Sequence, residues 1–370
     1  MSTPSAAVSV APWVRAERLA EALTARGIDG YLITQPANLR YFTGIPIRTA
    51  AMLVVRGMPP CLLVREQNAI AVEQAAAWCD MAALPGGRAW EAAVVRHLGP
   101  RLPRRTGCDD LTFSLAAKLR ATASGSLLCP GAEIAAFLRR KKDPGEEARL
   151  RRAVAVADQA AAAAFAAIRP GVSELAVVAE MEATLRRAGA DGTRFPTRFG
   201  SGLGSADCDV EPTPKPIESG EMGFLDIGPV CEGYLGDISR GFVVGRPSPE
   251  QARIIGLVLE ALDRAVERLR PGIPVADLCA AVHQTFDRAG VAGAFRHHLG
   301  HGLGLAMDPP LIQPGSTDRL EEGDFVALEP GLYLPGLGGV RFENNYRVGR
   351  DGPELLTRFP LSWGVERSHC

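Results

Sequence analysis

Apolar residues recur along the first third of the chain in two rhythms. From Val14 to Arg26 they return every three or four positions, as on one face of a helix. Gly30 to Ile33, Ala51 to Val55 and Cys61 to Val64 are instead short apolar runs of strand length. Alternation of the two predicts an α/β domain over residues 1–140. A basic break, RRKKD, follows at Arg139 to Asp143. Asp143 is then placed to cap a helix with Pro144 at its first position and Glu146 three residues beyond the cap, so a second domain is expected over residues 141–370.

The second domain contains an internal repeat, a feature that can decide a whole fold. Arg169-Pro170-Gly171 opens a helical segment closing at Arg187-Ala188-Gly189, and Arg270-Pro271-Gly272 opens another closing at Arg288-Ala289-Gly290, an offset of 101 residues at both ends. A β-rich stretch follows each helix, GFLDIGPVCEGYLGDISRGFVVG in the first copy and DFVALEPGLYLPGLGGVRFENNYRVG in the second. Asp226 and Glu329 take corresponding places in the two stretches, as do Asp237 and Glu343. Two pseudo-symmetric halves would therefore bring four acids to a shared axis.

Composition narrows what those acids can serve. At 370 residues the chain is long enough for two domains. Its formal net charge of -1 comes from 41 basic and 42 acidic residues, with no aromatic-interleaved basic stripe and no basic run longer than the RRKK break, which speaks against nucleic acid as a partner. Neither a signal peptide nor an apolar run of membrane-spanning length is legible, so no membrane association and a cytoplasmic location are expected. The eight cysteines are scattered without a CxxC pair and read mostly as buried reduced thiols.

Four buried carboxylates repel one another and lose hydration, a cost that divalent cations offset. His301, in HHLGHGLGL, supplies an imidazole, and Gly300, Gly302 and Gly304 around it allow close backbone approach to a metal site. Singly, each acid reads as a turn or strand-end residue and His301 as a structural histidine. Jointly, Asp226, Asp237, His301, Glu329 and Glu343 read as ligands of two divalent metal ions. An oxygen-rich set with one imidazole suits manganese, cobalt, iron or zinc, with manganese the first expectation.

At these residues the chain resembles the pita-bread metallopeptidase superfamily, and within it the aminopeptidase P, prolidase and creatinase branch of Xaa-Pro peptidases. Leu225-Asp226-Ile227-Gly228, Gly233-Tyr234 and Asp237-Ile238-Ser239-Arg240 are similar to its first ligand pair. Gly300-His301-Gly302, Glu329-Pro330-Gly331 and Gly339-Val340-Arg341-Phe342-Glu343 are similar to the other three motifs. Pro36 to Gly44 (PANLRYFTG) is similar to the creatinase-type N-terminal domain. The fold implied is α+β, a creatinase-like α/β domain followed by a pseudo-symmetric pita-bread domain. The function implied is a dinuclear metal-dependent hydrolase that cleaves a C–N (amide) bond in a small Xaa-Pro-like peptide or amino-acid derivative, with a water shared by the two metals, ionised to hydroxide, as nucleophile.

The resemblance assigns Asp237 and Glu343 as bridging ligands, Asp226 to one ion, and His301 with Glu329 to the other. Glu329 also becomes the proton carrier. Arg341 is expected to orient the acids and meet substrate, and Tyr234 joins the substrate contacts. His297 lies four residues before His301, a spacing also found in the peptidases, and is a candidate catalytic contact. A homodimer is the family expectation.

Two departures set this chain apart. The peptidases carry a substrate histidine upstream of the first aspartate, where this sequence reads GLGSADCDVEPTPKP, and another about seven residues after the ligand histidine, where it reads LAMDPPLI. Asp207, Cys208, Asp209 and Asp308 occupy those stretches, with Arg194 and Arg198 just upstream of the first. Such a set suits a small substrate carrying both charges. Arg198 and Asp209 are therefore expected as substrate contacts and Asp308 as a catalytic candidate. A lyase or other non-peptidase enzyme acting on a small zwitterion, and a non-catalytic binding protein on the same fold, are the alternatives.

Overall fold

The computed structural model describes residues 9–73, 78–123 and 125–365, and the chain divides into two compact units between Asp143 and Pro144. Cys370 lies outside the described residues, and the other seven cysteines carry free thiols. Among the described residues no helix is long and apolar enough to cross a membrane.

The first unit is a six-stranded mixed sheet of β1 (Gly30–Ile33), β2 (Ala50–Val55), β3 (Cys61–Arg65), β4 (Asp80–Leu84), β5 (Arg105–Cys108) and β6 (Leu127–Pro130), in the order β4-β3-β2-β1-β5-β6. β1 is buried along its whole length because β2 and β5 flank it, which explains its unbroken apolar run. α1 (Pro12–Thr24) buries Ala16, Leu19 and Leu23 at helical spacing. α2 (Pro36–Thr43) ends on Gly44 in the left-handed conformation that a helix C-cap needs. α3 (Ala69–Val72), α4 (Trp90–Leu98), α5 (Phe113–Thr122) and α6 (Ala132–Arg140) complete the unit. Asp143 closes it, its carboxylate receiving Arg15 Nη2 at 2.6 Å and the Val10 N–H at 2.9 Å.

The second unit repeats one arrangement twice. In the first half α7 (Pro144–Ala167) and α8 (Glu174–Arg187) precede β7 (Gly192–Thr193), β8 (Arg198–Ser201), β9 (Met222–Ile227), β10 (Pro229–Cys231), β11 (Tyr234–Leu235) and β12 (Ile238–Val244). In the second, α9 (Pro249–Val266) and α10 (Val275–Arg288) precede β13 (Gly300–Leu303), β14 (Met307–Ile312), β15 (Phe325–Leu328), β16 (Gly331–Leu334), β17 (Gly338–Arg341), β18 (Asn344–Gly349), β19 (Gly352–Leu355) and β20 (Gly364–Val365). α8 and α10 keep the 101-residue offset of the repeat at both ends. β8, β9 and β12 form one antiparallel sheet that β20 joins in parallel, and β14, β13, β15, β18 and β19 form the other. Each half has its own core. Alanines and Leu185 of α7 and α8 pack with Leu225, Ile238 and Phe242, and the apolar stripes of α9 and α10 pack with Val326, Leu328, Val340 and Phe342.

Small residues set how closely these layers approach. A Cβ on Gly236, just before Asp237, would lie 2.4 Å from the Ala153 carbonyl carbon of α7. The glycines around His301 act in the same way. A Cβ on Gly300 would meet Ala327 O at 2.0 Å and one on Gly302 would meet Asp308 O at 2.3 Å. At Gly300 and Gly302 the backbones of the neighbouring strands themselves require this close approach. The β13–β14 register also shifts between His301 and Gly302, a bulge that re-aims the histidine.

Candidate metal centre

β9 and β12 pair so that Asp226 stands directly opposite Ser239, and β8 places Arg198 opposite Asp226 on the other side. Residues directly opposite share a sheet face, so one ladder presents an arginine, an aspartate and a serine together. Asp237 enters at the start of β12. His301 sits within β13, Glu329 directly after β15, and Glu343 between β17 and β18. All five expected ligands are buried and line one cavity of about 340 Å³, which Arg194, Arg198, Asp209, His297, His298 and Arg341 share.

The carboxylates there are crowded. The ligand atoms of Asp237, His301 and Glu343 lie within 4.8 Å of one another, and His301 Nε2 is 3.7 Å from Asp237 Oδ2 and 3.9 Å from Glu329 Oε1. Burial, reinforced by the neighbouring Glu343, Asp226 and Glu329, pushes the Asp237 carboxyl well above the usual carboxylate range. The same burial and the charges of Glu329 and Asp226 do so for Glu343. Glu329 goes the other way: against its burial, His298, His297, Arg341 and His301 hold its carboxyl below the usual range. His301 Nδ1 lies 3.1 Å from Gly302 O. A carbonyl only accepts, so Nδ1 carries the proton and Nε2 faces the acids with a lone pair.

Hydrogen bonds tether these groups but leave one side of each acid open. Asp226 Oδ2 receives Arg341 Nη2 at 2.5 Å and Arg198 Nη1 at 3.1 Å, and Glu343 Oε2 receives Ser239 Oγ at 2.9 Å. Ser239 Oγ in turn accepts Arg341 Nε at 3.0 Å, and Asn345 holds both backbone polar groups of Asp237. Asp226 Oδ1, Asp237 Oδ1 and Glu343 Oε1 are shielded from solvent without any hydrogen-bond partner. A buried carboxylate oxygen left unpaired is costly unless a cation faces it. Three such oxygens on residues that share a cavity with the His301 imidazole fit a pair of divalent cations.

The remaining expected site residues divide into those at the cavity and those away from it. Arg198 and Asp209 meet at the cavity wall, Nη2 to Oδ1 at 2.9 Å, where the Asp209 side chain is 75% exposed. Arg341 lines the cavity with its guanidinium bound to Asp226, Ser239, Tyr333 and the Cys208 carbonyl. Tyr234 and Asp308 are not among the residues lining it. The Tyr234 hydroxyl donates instead to Glu146 at 3.0 Å, and Asp308 is buried in β14 opposite Gly302. Sequence reasoning did not single out Ser239, Tyr333 or His298. Ser239 lay in the quoted Asp237-Ile238-Ser239-Arg240 motif, His298 beside His297 in HHLGH, and Tyr333 carried no local signal.

Residues 148–350 match the profile described as metallopeptidase family M24, and residues 15–140 match that of the creatinase/prolidase N-terminal domain. The chain is 31% identical to the uncharacterised peptidase YqhT of Bacillus subtilis, covering 94% of this chain and 98% of that one. It is 29% identical to the Xaa-Pro dipeptidase of Pyrococcus furiosus, covering 93% and 97%. Among solved structures, the Xaa-Pro dipeptidase from Bacillus anthracis superposes with a TM-score of 0.88 at 29% identity, covering 95% of this chain and 99% of that one.

Proposed function

Because the chain belongs to metallopeptidase family M24, with a creatinase/prolidase-type domain ahead of its M24 domain, we propose that it is a hydrolase cleaving a C–N (amide) bond in a small peptide or amino-acid derivative, using two divalent ions. The observation that carries this reading is the set of three unpartnered, buried carboxylate oxygens, Asp226 Oδ1, Asp237 Oδ1 and Glu343 Oε1, on residues that line one cavity with His301. In this reading Asp226, Asp237, His301, Glu329 and Glu343 would hold the ions. Manganese fits the oxygen-rich set, with cobalt, zinc or iron as alternatives. When bound, such ions polarise a carbonyl and make water nucleophilic near neutral pH.

The protein's own groups supply the rest. Glu329, whose carboxyl is held below the usual range against its burial, with His298 the first cause, takes the proton of the attacking water and returns it to the departing nitrogen. Arg341 holds Asp226 in place and offsets the charge of the acids. Arg198 and the exposed Asp209 lie at the cavity wall, with Arg194 beside them, so that a small substrate bearing both a carboxylate and an ammonium finds a partner for each end. The relatives named Xaa-Pro dipeptidases support a dipeptide-sized substrate, and the two missing substrate histidines favour one other than an ordinary Xaa-Pro peptide. His297 acts through Tyr333 in this reading, and Asp308, inside β14, is not given a catalytic role. A homodimer is the corresponding expectation for assembly.

Metal content measured by mass spectrometry on the untagged chain tests the reading. Wild type should carry close to two transition-metal ions per chain, and the double variant Asp237→Ala, Glu343→Ala should carry none. Wild type that neither contains nor takes up manganese, cobalt or zinc would overturn it. With metals established, a panel of dipeptides and small zwitterions should yield an amine and an acid in equal amounts, and Glu329→Gln should slow that turnover by about 10²-fold or more. Release of an unsaturated product together with the eliminated amine, with no water consumed, would point to a lyase instead.

A further inference from the structure

His298 stands three residues before His301 and lines the same cavity. Its Nε2 is shielded from solvent and lies 2.9 Å from Glu329 Oε1, yet the pair lacks hydrogen-bond alignment. Two donor atoms that approach so closely without sharing a proton along a straight line are arranged like ligands of one cation. At zinc–nitrogen and zinc–oxygen distances of about 2.1 Å, two ligands of a tetrahedral ion stand about 3.4 Å apart. The separations of Glu329 Oε1 from His298 Nε2, 2.9 Å, and from His301 Nε2, 3.9 Å, bracket that value.

The three side chains offer ligand atoms that all lie within 4.8 Å of one another. The rings of His298 and His301 meet at 70° with centroids 5.7 Å apart, an edge-on arrangement in which both nitrogens can aim at a common point without stacking. His297, by contrast, is closed to such a role, since its two ring nitrogens already lie against His298 O and the Tyr333 hydroxyl.

Resting on the metal-centre reading above, we propose that His298 is a sixth protein ligand, sharing one divalent cation with His301 and Glu329. That ion site then has two imidazole donors and the other has none. Imidazole favours zinc, cobalt and nickel over manganese, whereas carboxylate suits manganese, so the two sites differ in metal preference and the chain takes up a mixed pair when both metals are offered.

The experiment titrates the chelated, full-length protein with Co(II) and separately with Mn(II), for wild type, His298→Ala and His298→Gln. Affinities are read by competition with a chromophoric chelator, and the Co(II) visible spectrum and X-ray absorption report the imidazole count. Both variants should bind Co(II) at least about 10-fold more weakly at one site, with a changed Co(II) spectrum and one imidazole fewer. Their Mn(II) affinity should stay within about threefold of wild type. Metal-free melting temperatures equal to that of wild type establish that the fold is intact. Unchanged Co(II) affinity and spectrum would overturn the proposal. So would equal weakening for both metals with an unchanged imidazole count, which would make His298 a hydrogen-bond partner of Glu329 alone. Wild type that takes up neither metal would sink the metal-centre reading itself, whereas loss confined to this comparison would leave that reading standing.

Discussion

His297 Nε2 lies 2.8 Å from the Tyr333 hydroxyl, and the proton in that bond belongs to the tyrosine. The other ring nitrogen, Nδ1, is 2.7 Å from the His298 carbonyl, which only accepts, so it must donate. Burial lowers the His297 pKa to about 4, so the ring is neutral and Nε2 is left as an acceptor. Tyr333 completes the chain by accepting Arg341 Nη1 at 2.9 Å. His297, which also lines the cavity, is thereby linked through Tyr333 to the arginine that holds Asp226.

Tyr333→Phe removes the hydroxyl common to His297 and Arg341 and leaves a buried nitrogen lone pair and a guanidinium N–H unmatched. A loss of about 1–3 kcal/mol of stability is expected in urea unfolding. Two metal ions should still be bound, because no proposed ligand is altered. Loss of both ions with unchanged stability would contradict this account.

Removing divalent ions should destabilise the second unit. Each ion bound at 100 times its dissociation constant contributes about 2.7 kcal/mol to the folded state. Calorimetry of chelated and reloaded protein should therefore show the melting temperature rising with metal concentration. In the Asp237→Ala, Glu343→Ala variant the dependence should vanish. A chelated protein that melts where the loaded one does would mean that the crowded acids need no cation.

Arg240 is fully buried on the face of β12 opposite Ser239. It donates to the carbonyls of Ser239, Glu343, Phe359 and Pro360 and to Asn344 Oδ1. Lysine has three donors on a flexible stem in place of five on a rigid fork. Arg240→Lys should cost about 3–5 kcal/mol, as expected for breaking a buried charged network. Weaker metal binding should accompany it, since Glu343 is anchored through its own carbonyl. Stability within the error of wild type would refute the assignment.

Gly302→Ala tests whether the glycine beside His301 serves strand approach. Its Cβ would fall 2.3 Å from Asp308 O and 2.4 Å from Pro309 O, both backbone atoms that cannot swing away. Overpacking of this kind costs about 1–3 kcal/mol. Gly256→Ala, where nothing lies within 4 Å inside α9, should be neutral or stabilising and serves as the control.

Acid titration reports on Glu91, which receives Lys118 and Ser114 from α5 and Thr112 from its N-cap. Those hydrogen bonds, Lys118 first, lower its pKa to about 2. A carboxyl depressed on folding contributes stability that is present above its unfolded pKa and is lost as pH falls through the folded one. Glu91→Gln should therefore cost up to about 1 kcal/mol at pH 7, given the solvent screening of this exposed cluster. The difference from wild type should close between about pH 4.5 and 2. A difference that widens on acidification would reverse the sign and the explanation.

Local sequence determined the elements and the candidate ligands. Helical spacing at Val14 to Arg26, apolar runs at Gly30 and Cys61, and the repeat at Arg169 and Arg270 all correspond to elements of the structure, because periodicity and capping act over a few residues. Asp226, Asp237, His301, Glu329 and Glu343 were legible because each lies in a motif of its own on or beside a strand. What those strands bring together was decided only by tertiary structure. Arg341 meets Asp226 across 115 residues, Ser239 meets Glu343 across 104, and His297 meets Tyr333 across 36, pairings that depend on strand register. Register likewise turned Tyr234 towards Glu146 and left Asp308 inside β14, while it set Arg198 opposite Asp226 and brought His298 to Glu329. A shift of one residue would send each side chain to the opposite face, and no local pattern encodes which of two neighbouring strands a side chain will meet.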